Sequence, residues 1–253
     1  MIEVKNVIKN FGDRTVLSDI SFTFEKGKNN LIIGASGSGK TTITKCIVGL
    51  QKPDSGVVEY DGNSFWDMGR KKKAKLRQNI GFLFQGGALF DSMTVEENVK
   101  FSLRVFSNQT QKEMNDRVDF CLDRVNLHGV KDLYPDELSG GMKKRVGIAR
   151  AISMNPKYLF CDEPNSGLDP QTSILIDQLI SEITYEYNIT TIVITHDMNS
   201  VLEIGDHIMF LHQGQKWWSG SKEDILETQN KELTDFIYAS NFMKTIRDKA
   251  QSK

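Results

Sequence analysis

Residues 30–42 read "NLIIGASGSGKTT". A short apolar run ends in a glycine-rich turn, and the turn ends in Lys40 and Thr41 at the start of a helical pattern. The spacing is Gly-x-x-x-x-Gly-Lys-Thr, the phosphate-binding (Walker A) loop, here in the strand-then-helix context that gives the motif its meaning. Gly34, Gly37 and Gly39 let backbone N–H groups turn inward around phosphate oxygens. The loop residues Ala35, Ser36, Ser38 and Thr42 present further N–H and hydroxyl donors. Lys40 places a point charge on the β and γ phosphates, and Thr41 offers a hydroxyl to Mg²⁺. The expected ligand is ATP with Mg²⁺.

Outward from this loop, short apolar runs mark strands at 2–8, 20–24, 30–33, 57–60, 79–84, 158–162, 191–195, 207–211 and 215–218. Helical patterns follow the runs at 30–33, 158–162 and 191–195. That alternation predicts an α/β fold with a mostly parallel core sheet and crossover helices. The early strands, joined by turns such as "GDRT" and "YDGN", predict a peripheral antiparallel β-subdomain. Residues 95–155 contain no convincing strand and read as a helical subdomain. With 253 residues the chain accommodates one large α/β domain, or a core plus a small subdomain. A net charge of −1 is no polyanion-binding composition, so no nucleic-acid partner is expected. Cys46, Cys121 and Cys161 form no metal-type spacing, and Cys46 and Cys161 fall in apolar runs, where a free cysteine behaves as a small apolar residue. No apolar run approaches the roughly 18 residues of a membrane span, so a membrane role needs a partner. The run "RKKKAKLR" at 70–77 reads as a solvated helical face.

Other motifs lie at strand ends. "YLFCDEPNSGLD" at 158–169 is a buried strand ending in two carboxylates, poor strand material without a function. Asp162 is expected to hold Mg²⁺ through water, and Glu163 to polarise an attacking water. "TTIVITHD" at 190–197 puts His196 at another strand's C-terminal edge, where open α/β sheets bind ligands; it is read as a γ-phosphate contact. Gln85, after "IGFLF", can reach Mg²⁺ and the water. Phe11 either stacks on adenine or packs in the core. His128, His207 and His212 are read as structural.

One helix start breaks a local rule. In "LSGGMKKRVGIARAI" at 138–152, Ser139 suits an N-cap and Met142, Val146, Ala149 and Ile152 recur at helical spacing. Yet Lys143, Lys144 and Arg145 crowd the end that prefers acids. The pattern makes sense if an anion docks there.

Taken in order, the Walker A loop, Gln85, "LSGGM", the Asp162–Glu163 pair, "SGLD" and His196 resemble the nucleotide-binding subunits of ABC transporters over nearly the whole chain. The resemblance implies an ATPase working as a head-to-tail dimer. Ser139, Gly140 and Gly141 of one copy would close on the ATP held by the other copy's Walker A loop, with the cations of 143–145 behind that contact. Asp169, in "SGLD", would bridge the two sites. Closure would move membrane permease subunits through a groove near 86–106, with Leu89 and Phe90 as apolar contacts.

"GGALFDSMTVEENV" after Gln85 and "LSGGMKKRVGIARAI" resemble the ATPases of Mla-type phospholipid transporters. That resemblance implies a peripheral protein on the cytoplasmic face of the bacterial inner membrane, with a substrate-binding lipid-domain protein beyond the permease. The rival readings are an ABC importer or exporter ATPase for amino acids or lipoproteins, and a soluble ABC ATPase without transport. The ATP-binding domain is expected at 1–232. In the tail at 233–253, Leu233, Phe236, Ile237, Tyr238, Phe242, Met243 and Ile246 are spaced for a helix packing on this domain or on the partner. Trp217 and Trp218, as strand neighbours, are expected on opposite faces, one of them in the core.

Overall fold

The computed structural model describes residues 1–238. The described residues divide into two compact units, one formed by Met1, 24–29 and 67–194, the other by 2–23, 30–66 and 195–238.

The second of these units begins with β1 (Ile2–Phe11), β2 (Arg14–Phe24), β3 (Asn29–Ile33), α1 (Lys40–Ile47), β4 (Ser55–Tyr60) and β5 (Asn63–Ser64). β2, β1, β4 and β5 form a four-stranded sheet, in which β4 runs antiparallel to both β1 and β5. The inward face of β1 is read from Ile2 and Val4, then jumps to Val7. The phase slips because β1 bulges between Lys5 and Ile8, with Asn6 at φ 49°. Gly56 lies against that bulge, where a Cβ would meet the Asn6 carbonyl oxygen at 2.3 Å.

The other unit carries α2 (Arg70–Gln78), β6 (Ile80–Leu83), α3 (Val95–Phe106), α4 (Gln111–Arg124), α5 (Gly140–Ile152), β7 (Tyr158–Asp162), α6 (Pro170–Tyr187) and nearly all of β8 (Thr190–Thr195). β6, β7 and β8 run parallel in that order. All six residues of β8 are buried. Its polar Thr191 is tolerated because its hydroxyl meets that of Thr184 at 2.6 Å, and Thr184 donates to Asn29 Oδ1 at 2.9 Å. α2 buries no residue, as expected of a solvated cationic face. α3, α4 and α5 fill the predicted helical stretch. α3 and α4 each open on a Thr-x-x-Glu box, Thr94 with Glu97 and Thr110 with Glu113.

The chain then returns to the unit of β1 with α7 (Met198–Ile204), β9 (His207–His212), β10 (Gln215–Gly220), α8 (Lys222–Leu226) and α9 (Lys231–Ile237). β9 is parallel to β3 and antiparallel to β10. The expectation that one of Trp217 and Trp218 is core is corrected: neither is buried. A register shift between Lys216 and Trp218 breaks the alternation, and Trp217 Nε1 donates to Glu232 at 3.0 Å. All three cysteines are buried, and burial pushes the Cys46 and Cys121 thiols up to about 11. Among the described residues no helix is long and apolar enough to cross a membrane.

α9 packs on its own unit. Leu233 and Ile237 are buried, and the Phe236 ring lies 5.4 Å from that of Phe210. Phe242, Met243 and Ile246 lie outside the described residues. Leu233→Ala is expected to destabilise the chain by about 2–5 kcal/mol, the usual loss for a fully buried leucine. Guanidinium unfolding followed by circular dichroism measures it; an unchanged midpoint would contradict this packing.

Candidate functional site

The phosphate loop leaves β3 at Ile33 and enters α1 at Lys40. Its shape depends on two glycines. Gly34 sits at φ 149°, where a Cβ would come within 2.2 Å of the Leu211 carbonyl oxygen, and Gly39, at φ 109°, would meet Leu17 Cδ2 at 2.8 Å. Gly39 caps α1 with no side-chain hydrogen bond, and the first turn of α1 carries no acid. The helix therefore offers its N–H groups and positive dipole end outward. Lys40 Nζ donates to the carbonyls of Gly34 at 2.7 Å and Ala35 at 3.1 Å, which draws the ammonium back over the loop. Ala35, Ser36 and Gly37 form the exposed crest, Thr41 is exposed and Thr42 half-buried. Ser38 Oγ is buried with no hydrogen-bond partner. An orphaned hydroxyl costs stability unless an acceptor arrives, so the loop fits a bound polyphosphate. In the same unit, Phe11 ends β1, is 48% exposed and has Lys9 Nζ 5.5 Å from its ring centroid. That exposure favours a stacking surface over the core reading. His196 is exposed immediately after β8.

Gln85, Ser139, Gly140, Gly141, Asp162, Glu163 and Asp169 belong to the other unit. Asp162 ends β7, and Glu163 follows at φ 47°, a left-handed conformation rare for a residue with a side chain. Gln85 is exposed two residues after β6. Ser139 caps α5 by accepting from the Met142 N–H at 3.2 Å, and Ser139 and Gly140 are exposed. Asp169 caps α6. Its Oδ1 accepts from the N–H groups of Gln171 and Thr172, each at 3.0 Å, and its Oδ2 from the Thr172 hydroxyl at 2.6 Å. The Thr172 hydroxyl and N–H hold this carboxyl below the usual range. Within this unit Gln85 and Asp162 carry amide and carboxylate oxygens, donor types suited to Mg²⁺.

Lys144, Arg145 and Arg150 of α5 turn onto internal acceptors. Lys144 is buried, and its Nζ donates to the carbonyl of Gln85, to that of Glu163 at 3.1 Å and to Ser166 Oγ at 3.4 Å. Arg145 donates to the carbonyls of Asn126 at 2.8 Å and Val125 at 3.3 Å. Arg150 donates to those of Ala88 at 2.8 Å and Gly87 at 2.7 Å. Burial holds the Lys144 ammonium below its ordinary pKa, against the opposing influence of Cys161, Glu163 and Asp162. The expectation that these cations back an anion contact is thus replaced, for Lys144 and Arg145, by internal bracing. The signal was present: Lys144 shares the buried row of Ile148 and Ala151 at helical spacing.

A groove beside Gln85 is lined by Phe82, Phe84, Phe90, Phe101, Arg150 and Met154, among others. Phe84 is 45% and Phe90 42% exposed, whereas Leu89 is half-buried. Asn98, fully buried, braces the rim: its Oδ1 accepts from Phe90 N–H at 2.8 Å and its Nδ2 donates to the Phe90 carbonyl at 3.1 Å.

Residues 17–166 match the profile of the family described as ABC transporter. The methionine import ATP-binding protein MetN of Campylobacter jejuni is 36% identical over 259 residues, spanning 96% of this chain and 77% of that protein. The intermembrane phospholipid transport system ATP-binding protein MlaF of Haemophilus influenzae is 35% identical over 237 residues, spanning 94% of this chain and 90% of that protein. A dimeric ATP-binding cassette, MJ0796, in a post-hydrolysis state bound to ADP and Pi, superposes with a TM-score of 0.79 at 32% identity, covering 88% of this chain and 99% of that one. With the phosphate loop, the carboxylate-ended strand and the open start of α5, these matches mean that the chain belongs to the ABC transporter family, as an ATP-binding ATPase subunit.

Proposed function

We propose that this subunit drives phospholipid transport between bacterial membranes, as a head-to-tail dimer beneath a pair of permease subunits on the cytoplasmic face of the inner membrane. The observation that carries the lipid reading is the similarity to MlaF over 94% of this chain. "GGALFDSMTVEENV" and "LSGGMKKRVGIARAI" support it. MetN is equally similar and works on a different cargo, so the substrate assignment is decided by transport assays. A substrate-binding lipid-domain protein beyond the permease belongs to the same reading.

The dimer reading draws on the exposed start of α5 and the dimeric MJ0796 structure. In it, Gly34–Thr42 of one copy wrap the triphosphate, and Ser139, Gly140 and Gly141 of the other close over the γ-phosphoryl group. Asp169 lies between the two sites, as cap of α6. Phe11 stacks on adenine, and Lys40 and His196 hold charge on the γ-phosphoryl oxygens. Thr41, Gln85 and Asp162 would hold Mg²⁺, which when bound neutralises charge on the β and γ oxygens. Glu163 orients water and takes up its proton. Most of the rate acceleration is positioning and electrostatics. The groove at Phe84 and Phe90 receives the permease, next to Gln85.

Glu163→Gln is expected to keep ATP binding while losing turnover by at least about 100-fold. Size-exclusion with ATP should show a stabilised dimer, and near-normal hydrolysis would remove Glu163 from its role. For the cargo, the complex purified with its membrane partners should transfer labelled phospholipid between vesicles only with ATP and Mg²⁺. A complex that instead moves an amino acid or another solute refutes the lipid reading and leaves the ATPase assignment standing.

A further inference from the structure

We propose that Lys144 is a positioning residue for hydrolysis: its buried ammonium fastens the Glu163 and Gln85 backbones to α5, so that the Glu163 carboxylate is presented in one orientation and follows the Gln85 loop. This rests on the reading of Glu163 as the group that orients water.

An ammonium has three N–H donors. Lys144 has three acceptors, the Gln85 carbonyl, the Glu163 carbonyl and Ser166 Oγ. Glu163 is held on every backbone group. Its N–H donates to the Ile194 carbonyl at 2.8 Å, and its carbonyl accepts from both the Ser166 N–H at 3.2 Å and Lys144 Nζ. A left-handed backbone in a residue with a side chain persists where its surroundings over-determine it. Here the surroundings are a strand on one side and Lys144 on the other. The second anchor gives this device its reach. Gln85 begins the loop whose next residues, Gly87 and Ala88, are held by Arg150 of the same helix. Ala88 and Arg150 line the apolar groove. A shift of the groove rim is therefore transmitted through α5 to the backbone that carries Glu163, and to the Ser139 start of the same helix. An apolar side chain at 144 would leave two carbonyls and a hydroxyl without this donor and uncouple the segments.

A merely structural lysine would lower stability and every functional constant together. A positioning lysine separates them, because nucleotide affinity depends on the phosphate loop of the other unit. Steady-state ATPase assays on the full chain should compare Lys144→Met, Lys144→Gln and Glu163→Gln, with melting curves for each. Lys144→Met is expected to lower kcat at least about tenfold with KM for ATP changed less than about threefold. Lys144→Gln keeps two N–H donors and should fall between Lys144→Met and the unaltered chain. Unaltered kcat in Lys144→Met, or kcat and ATP affinity falling together, would overturn the proposal. If Lys144→Met does not melt cooperatively, Lys144→Gln decides by the same criteria. The Glu163→Gln control separates the two failures. Normal turnover there removes the reading of Glu163, whereas an inactive Glu163→Gln beside a fully active Lys144→Met removes the role of Lys144 alone.

Discussion

The start of α5 has to stay open while the rest of the helix is tied down. Ser139 satisfies the Met142 N–H, and the residues between are glycines that put no side chain in front of the helix end. The cations that follow would repel the positive dipole end if they pointed toward it. Instead Lys144, Arg145 and Arg150 turn onto backbone carbonyls of three separate segments, the loop of Gln85, Gly87 and Ala88, the pair Val125 and Asn126, and Glu163. The carbonyls lie outside the regular strands, and burial makes each charge-assisted bond matter. One helix thus organises the loops of its unit and still presents an exposed N-terminus.

The phosphate loop obeys a different constraint. It is built by subtraction: Gly34 and Gly39 exist because a Cβ would collide with Leu211 and Leu17, and the helix behind them has no cap and no acid of its own. Both helix starts lack an acid in the first turn, and only that of α5 has a side-chain cap, Ser139. Two such starts in one chain have a simple explanation if each serves a different copy of the nucleotide. The family's dimeric cassettes accord with that arrangement.

Much of this was legible in the residues. The apolar runs at 30–33, 79–84, 158–162, 191–195 and 207–211 mark strands because buried strands with parallel neighbours must be nearly continuous in hydrophobicity. The phosphate loop is legible because its chemistry tolerates few alternatives at Gly34, Gly39 and Lys40. What escaped was set by tertiary contacts. The bulge at Trp217 breaks a period of two that sequence alone takes as unbroken. The capping boxes at Thr94 and Thr110 mark the starts of α3 and α4 inside the helical stretch, and only their spacing would have shown them. Lys144 was read by its charge as facing an anion. Its place in a buried row with Ile148 and Ala151 called instead for internal acceptors, and those lie 59 and 19 residues away in sequence.

If each ATP is held by the phosphate loop of one copy and the α5 start of the other, two inactive chains can repair each other. Lys40→Ala damages the first element and Ser139→Arg the second. In a mixed dimer one site carries both lesions and the other carries neither. ATP hydrolysis by an equimolar mixture of the two purified variants measures this directly. The account predicts recovery to about a quarter of the unaltered rate, since about half the dimers are mixed and each has one intact site. A mixture as inactive as its parts, when crosslinking shows that mixed dimers form, would contradict the composite site.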